Sequence, residues 1–285
     1  MKAIIPPNII LDPLIGSWLH EDLGRGDRTT GGLNLQGRGK AIWVVKETGV
    51  IAGLPMAARV FQVLDEQMSF IPRVKEGEKC ESGEIIAQME GLLETLLMGE
   101  RVALNIAMRL SGIATLTRQY TEVIADLPTQ LVDTRKTTPG LRIIEKYATQ
   151  IGGAINHRMG LDDAVMIKDN HIQAAGGIEA AIAQIRQTIP YPLSIEVETT
   201  NLQEVEQALL SGADIIMLDN MTVDQMHEAV EFIHQHNDKI KIEASGNITL
   251  TNLRSVALTG VDYISTSAPI TRSSWLDLSM KILEE

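Results

Sequence analysis

The chain is nearly free of cysteine, with Cys80 the only one in 285 residues. No disulfide can form within it and no cysteine-rich zinc site can be assembled, which suits a reducing cytoplasm. Positive charge is scarce as well: 25 Lys and Arg stand against 37 Asp and Glu, for a formal net charge of -12. A general binder of nucleic acid or of an anionic membrane needs a positive surface that releases counterions, so neither partner is expected. Long apolar runs are missing. The N-terminal stretch MKAIIPPNIILDPLIGSW is interrupted by Pro6, Pro7, Asp12 and Pro13 before it could make a signal core or a membrane span, and no targeting segment is read in it. Nor is there a low-complexity linker.

What is present is a globular composition, 44% hydrophobic and 22% charged, long enough to bury a substantial core without covalent staples. From Leu131 onward the apolar runs LVDT, AVMIKDN, SIEVET, DIIMLDN, IEASGN and DYISTSA recur every ~20 to 30 residues. Helix-period segments such as NLQEVEQALLSG and TVDQMHEAVEFIHQHN separate them, several opening on Asn or Thr as N-caps. This alternation predicts repeated βα units around a parallel sheet, an α/β barrel. The N-terminal part reads as α+β, with a helix near Ile9 to Leu19 and short strands at AIWVVKE, SFIPRV and EIIAQMEG. A long helical stretch, from LLETLLMGERVALN to YTEVIADL, joins the halves, and its mixed faces suit a domain or subunit interface. The expected division is an α+β domain over about residues 1–110, a barrel over about 111–272, and a C-terminal helix over about 273–285 that packs back on the first domain.

In a parallel α/β fold the chemistry gathers where the strands end. Those ends carry Thr134, Arg135 and Lys136, then Lys168, Asp169 and Asn170, then Glu198, Asp219, Asn220, Ser245, Gly246 and Ser267. Taken singly, an Asp or Ser after a strand is most often the N-cap of the next helix. A lysine cannot cap, so Lys136 and Lys168 either snorkel to solvent or meet an anion, and their recurrence favours the anion. His157, Arg158 and His171 flank the AVMI run; for each histidine the bland alternative is a satisfied structural role. Arg135 and Arg158 suit bidentate grips on carboxylates, while Lys136 and Lys168 suit phosphate as point charges. Glu198 and Asp219, in the same cationic mouth, could carry hydrated Mg²⁺, face a developing cation, or only neutralise the lysines. His234 and His236 lie two apart on a helix, point to different faces and make poor joint ligands.

DTRKTTPGLR, EDLGRGDRTT and GGAINHRMGLDDAVMIKDNHI resemble the corresponding segments of the quinolinate phosphoribosyltransferase family, and the likeness runs from PPN at Pro6 to DYIS. The resemblance implies transfer of phosphoribosyl from 5-phosphoribosyl 1-pyrophosphate to quinolinate with Mg²⁺, giving nicotinate mononucleotide, pyrophosphate and carbon dioxide in NAD biosynthesis. It implies an N-terminal sandwich domain, an incomplete TIM-like barrel, and a homodimer whose sites are each completed by the neighbour; a trimer of such dimers is left open. Matched by motif, Arg101 in GERVALN is the residue given across the interface, and Arg135, His157, Arg158 and Lys168 form the quinolinate set. Lys136 and Lys168 resemble the lysines that meet the donor, and Glu198 and Asp219 its ribose and metal partners, the metal held through water. Ser245, Gly246 and Asn247 match the phosphate loop, with Thr134 and Ser267 among the substrate contacts. As a type II enzyme the family lacks the type I motif, in keeping with IIMLDN, which has no second acid and no Thr-Gly-Gly after it.

One departure stands out. Many members carry Gly and then Leu-Thr-His after the last strand, where this chain reads STSAPITRS, with Ser267 at the Gly and Thr271 or Arg272 near the His. Two other readings stay open: a relative of the same fold with a different acceptor, of the molybdenum-transport-associated type, and a non-catalytic protein that binds a phosphate ligand.

Overall fold

The computed structural model describes residues 3–33, 35 and 37–284. In chain order the elements begin α1 (Asn8–Leu23), α2 (Arg28–Leu33), β1 (Arg38–Val45), β2 (Gly49–Val50), α3 (Leu54–Leu64), β3 (Ser69–Pro72), β4 (Lys79–Cys80) and β5 (Ile85–Leu92). They continue α4 (Leu93–Val123), β6 (Gln130–Val132), α5 (Arg142–Gly152), β7 (Val165–Ile167), α6 (Asp169–Ala175), α7 (Ile178–Arg186), β8 (Ile195–Thr199) and α8 (Leu202–Leu210). Then follow β9 (Ile215–Asp219), α9 (Val223–His236), β10 (Lys241–Ser245), α10 (Leu253–Ala257), β11 (Tyr263–Ser265), α11 (Ala268–Thr271) and β12 (Leu278–Ile282). The chain forms two compact units. The first comprises Met1–Arg118, Thr138–Gly153 and Arg272–Glu285; the second comprises Gln119–Thr137 and Ala154–Thr271.

The first unit is built on a four-stranded antiparallel sheet in the order β12-β1-β5-β3. Its core gathers the few aromatics: Trp43 on β1 meets Phe70 on β3 edge to face at 5.5 Å, and Phe61 on α3 stacks on Phe70 at 6.1 Å. Burial of such rings contributes on the order of 2 kcal/mol each. The C-terminal segment expected as a helix instead contains a strand: β12 runs antiparallel to β1, with Trp43 opposite Met280 and Val45 opposite Leu278. The open edge of β1 explains this, because a sheet edge offers unpaired amides and carbonyls that a short tail satisfies better than its own helical turn would. Just before β12 the chain crosses α4 closely. A Cβ on Gly112 would stand 1.9 Å from the Ser274 carbonyl oxygen, so only glycine lets the two backbones approach there.

The second unit is a parallel sheet in the order β6-β11-β10-β9-β8-β7, with helices in the connections. Ile195, Val197, Ile216, Leu218, Ile242 and Ile264 are buried, as strands covered on both faces require. The expected caps are present: the Asn201 side chain accepts from the Glu204 amide to start α8, and Thr222 with Gln225 forms a capping box on α9. Register then decides what lies inside. Met217 on β9 is opposite both Glu198 on β8 and Glu243 on β10, while Asp219 is opposite Ser245. With a period of two, Glu196, Glu198, Met217, Asp219, Glu243 and Ser245 therefore share one face. Ile155 bridges Val132 beyond β6, at one end of the sheet, and His157 two residues later reaches Glu196 on β8, next to the other end. The sheet is thus curled into an incomplete barrel around these residues. Among the described residues no helix is long and apolar enough to cross a membrane.

Candidate active site

The turn after β6 is set by Asp133 and Thr134. Buried Asp133 accepts from the Asn156 side-chain amide at 2.6 Å and from the His157 backbone N–H at 2.8 Å, tying the β6 end to the segment that carries His157 and Arg158. The Lys136 N–H donates to Thr134 Oγ1 at 3.1 Å, which turns the chain so that Arg135 and Lys136 leave the sheet together. Arg135 stands close enough to Arg158 to matter electrostatically. Burial first, and the like charge of Arg135 second, hold the Arg158 guanidinium below its ordinary value, with Glu196 opposing. One Arg158 Nη1–H donates to the Ala164 carbonyl at 2.9 Å, which anchors the side chain.

At the end of β7 the Lys168 ammonium forms an ion pair with Glu198 at the end of β8, and the Lys168 N–H donates to His171 Nδ1 at 3.0 Å. His171 is therefore a local brace. The next two loops are locked to one another. The Asn220 side-chain amide donates to Asp219 Oδ2 at 2.7 Å, the Asn247 side-chain amide donates to Asn220 Oδ1 at 3.0 Å, and the Asn220 N–H donates to the Ser245 carbonyl at 3.0 Å. Asn220 and Asn247 both sit at positive φ, 55° and 51°, a conformation non-glycine residues keep mainly where surroundings impose it. Gly246 between them has φ +92°, and a Cβ there would lie 2.3 Å from Asn220 Oδ1. Gly246 and Asn247, successive residues both at positive φ, turn the chain sharply just after β10. Ser267 opens the short α11, its carbonyl accepting from the Ile270 and Thr271 amides and from the Thr271 hydroxyl.

Thr134, Arg135, Lys136, His157, Arg158, Lys168, Glu198, Asp219, Ser245, Gly246, Asn247 and Ser267 thus all belong to the second unit, at or just beyond strand ends. Arg101 and Arg142 belong to the first. Arg101 is exposed on α4 and lines a cavity of about 490 Å³ together with Trp18, Glu21, Asn105, Arg109 and Trp275.

Two acids were missed from sequence. Glu196 and Glu243 are buried on the inner face, and their Oε2 atoms lie 3.2 Å and 3.6 Å from His157 Nε2. The candidate ligand atoms of the three lie within 4.8 Å of one another. The signal that could have found Glu196 is the EVE spacing of SIEVET: if Glu198 faces the barrel interior, so does the residue two before it.

Comparison with known proteins agrees with this architecture. The model of the quinolinate phosphoribosyl transferase N-terminal domain matches residues 27–111, and that of the C-terminal domain residues 113–281. A probable nicotinate-nucleotide pyrophosphorylase (carboxylating) of Synechocystis is 63% identical over 98% of this chain and 95% of its own. The human nicotinate-nucleotide pyrophosphorylase (carboxylating) is 39% identical over 98% of this chain and 94% of its own. Among solved structures, NadC from Streptococcus pyogenes superposes with a TM-score of 0.93 at 39% identity, covering 99% of this chain and 100% of that one.

Proposed function

This chain belongs to the quinolinate phosphoribosyltransferase family, and from that premise we propose which of its residues carry the reaction. The protein transfers the phosphoribosyl group of 5-phosphoribosyl 1-pyrophosphate to quinolinate with decarboxylation, giving nicotinate mononucleotide, pyrophosphate and carbon dioxide. The quinolinate nitrogen attacks the anomeric carbon as its bond to pyrophosphate breaks. The alkylated ring nitrogen is cationic, so the carboxylate beside it leaves as carbon dioxide, its electron pair stays on the ring carbon, and that carbon takes a proton.

Arg135 and Arg158 grip the two carboxylates, and Lys136 and Lys168 neutralise the polyphosphate. Glu198 and Asp219 face the ribose as it gains positive charge, and the Ser245-Gly246-Asn247 turn holds the 5-phosphate. The observation that carries this assignment is the tie from buried Asp133 to the Asn156 side-chain amide and the His157 N–H, which sets the segment bearing Arg158 beside the strand end bearing Arg135 in an otherwise acidic protein. Mg²⁺ fits the same mouth: Glu198 and Asp219 offer only carboxylate oxygens, and Glu198 is already tied to Lys168, so the ion would be held through water. When bound it would neutralise departing pyrophosphate. Arg101 completes the site of a partner subunit in a homodimer, acting in the cytoplasm.

The test is quinolinate-dependent release of ¹⁴C-labelled carbon dioxide with and without Mg²⁺, using nicotinate as the control acceptor. Turnover with nicotinate and none with quinolinate would move the acceptor to the other members of the fold. Arg101→Ala mixed with Lys168→Ala should regain roughly a quarter of wild-type activity after subunit exchange, because half the dimers then hold one intact site. No recovery in confirmed heterodimers would return Arg101 to its own subunit.

A further inference from the structure

The cluster on the inner face does work that the substrate contacts do not explain. His157 is gripped on every polar side by its own unit. Its backbone N–H donates to Asp133 at 2.8 Å, and its Nδ1 accepts the Arg158 backbone N–H at 2.7 Å. Nε2 faces Glu196 on β8 at 3.2 Å and Glu243 on β10 at 3.6 Å. A ring nitrogen that accepts a hydrogen bond carries no proton, so the imidazole proton stands on Nε2, between two carboxylates. Both acids are almost fully buried, and among the described residues Glu196 Oε1 and Glu243 Oε1 have no hydrogen-bond partner. Leaving buried carboxylate oxygens unsatisfied is costly, and proteins tolerate it mainly where function requires it.

Resting on the reaction assigned above, we propose that Glu196 and Glu243 are positioning residues: they hold His157 as its Nε2–H tautomer, and through Nδ1 fix the Arg158 backbone beside the quinolinate socket. His157 is then a strut between two acids and one amide, and the positive charge offered to quinolinate comes from Arg135 and Arg158. Burial first, and the charge of Glu196 second, push the Glu243 carboxyl up to about 7.

The experiment is ¹⁵N NMR of protein labelled at histidine, with the His157 signals assigned by their loss in His157→Gln, combined with steady-state kinetics. Wild type should give a protonated Nε2 and a pyridine-type Nδ1. Glu196→Met should blur that pattern and raise KM for quinolinate about tenfold while KM for 5-phosphoribosyl 1-pyrophosphate stays within about twofold. Glu196→Gln keeps an acceptor for Nε2–H and should recover most of the loss. An imidazolium or an Nδ1–H form in the wild type overturns the proposal. So does an equal rise in both KM values with a lower Tm, which is the mark of a merely structural acid. A shift of Nε2 on adding Mg²⁺ or Zn²⁺ would make the cluster a metal centre instead. Wild type that releases no carbon dioxide from quinolinate would sink the assigned reaction, but the tautomer would still be read independently.

Discussion

Two acids of the first unit, buried Glu145 and half-buried Glu76, and two buried acids of the second, Glu196 and Glu243, are treated in opposite ways. In the first, Glu145 on α5 accepts from Arg109 Nε and Nη2 at 3.1 and 2.8 Å and from the Thr138 N–H and hydroxyl at 2.8 and 2.9 Å. Glu76 accepts from the Gly53 and Leu54 amides at 2.8 and 2.9 Å and from the Tyr147 hydroxyl at 2.7 Å. Every oxygen is used, so these acids are joints: one pins Thr138 to a helix, and the other caps the start of α3. In the second unit Glu196 and Glu243 share a histidine, and among the described residues each keeps one oxygen, Oε1, without a hydrogen-bond partner. A saturated buried acid holds structure, whereas an unsaturated one costs stability and has to be accounted for by what it does to the site.

The largest effect that would break this comparison is in the first unit. Glu145→Leu would remove the buried carboxylate that pairs with Arg109, 15% exposed, and that accepts from the Thr138 amide. A loss of about 3 to 5 kcal/mol in chemical denaturation is expected. Less than about 1 kcal/mol would mean that saturation contributes nothing here.

Glu243 comes next. Its carboxyl is raised from 4.5 to about 7, so the folded protein binds this proton more tightly than the unfolded chain does. The stabilisation is fully present below the unfolded value and is lost as pH climbs through the folded one, by about 3 kcal/mol. Glu243→Gln removes that dependence, so its Tm should fall less than that of the wild type between about pH 5 and pH 8. Parallel profiles would show that Glu243 does not titrate in that window.

The placement of the candidate site residues was legible because a parallel barrel puts its strand ends together, and Lys136, Lys168, Glu198 and Asp219 end or follow apolar runs that announce themselves. Glu196 and Glu243 were not legible, since an acid inside an apolar strand looks like a solvent-facing position until the register places both faces of the sheet. The strand β12 was hidden for a related reason: its pairing with β1 joins residues 41–45 to residues 278–282, and no local pattern carries a contact of that range. The capping residues Asn201 and Thr222 act within four residues of themselves and were readable directly.

A smaller effect separates binding from structure in the second unit. Arg135→Lys keeps the charge but loses the two parallel bonds of a guanidinium, so quinolinate affinity by calorimetry should fall by about 2 kcal/mol. Affinity for 5-phosphoribosyl 1-pyrophosphate and the Tm should barely move. Equal weakening of both substrates would remove Arg135 from the quinolinate socket.

The smallest effect sharpens the meaning of saturation. Tyr147 is one of three donors to Glu76, and its hydroxyl bond opposes the rise that burial imposes on that carboxyl. Tyr147→Phe removes that donor and leaves the two backbone amides in place, so the loss near neutral pH should be only about 1 kcal/mol. Its pH dependence carries the argument further. The bond favours the ionised form, so without it the Glu76 carboxyl rises further, and the difference between variant and wild type must grow as pH climbs through both folded values. At acid pH, where Glu76 is protonated in both proteins, the gap should shrink towards that of a neutral hydrogen bond. Denaturation of the two proteins at matched pH values measures the gap directly. A difference that is constant across the acid range would mean that the Tyr147 hydroxyl contributes packing alone and that Glu76 is satisfied by its backbone donors.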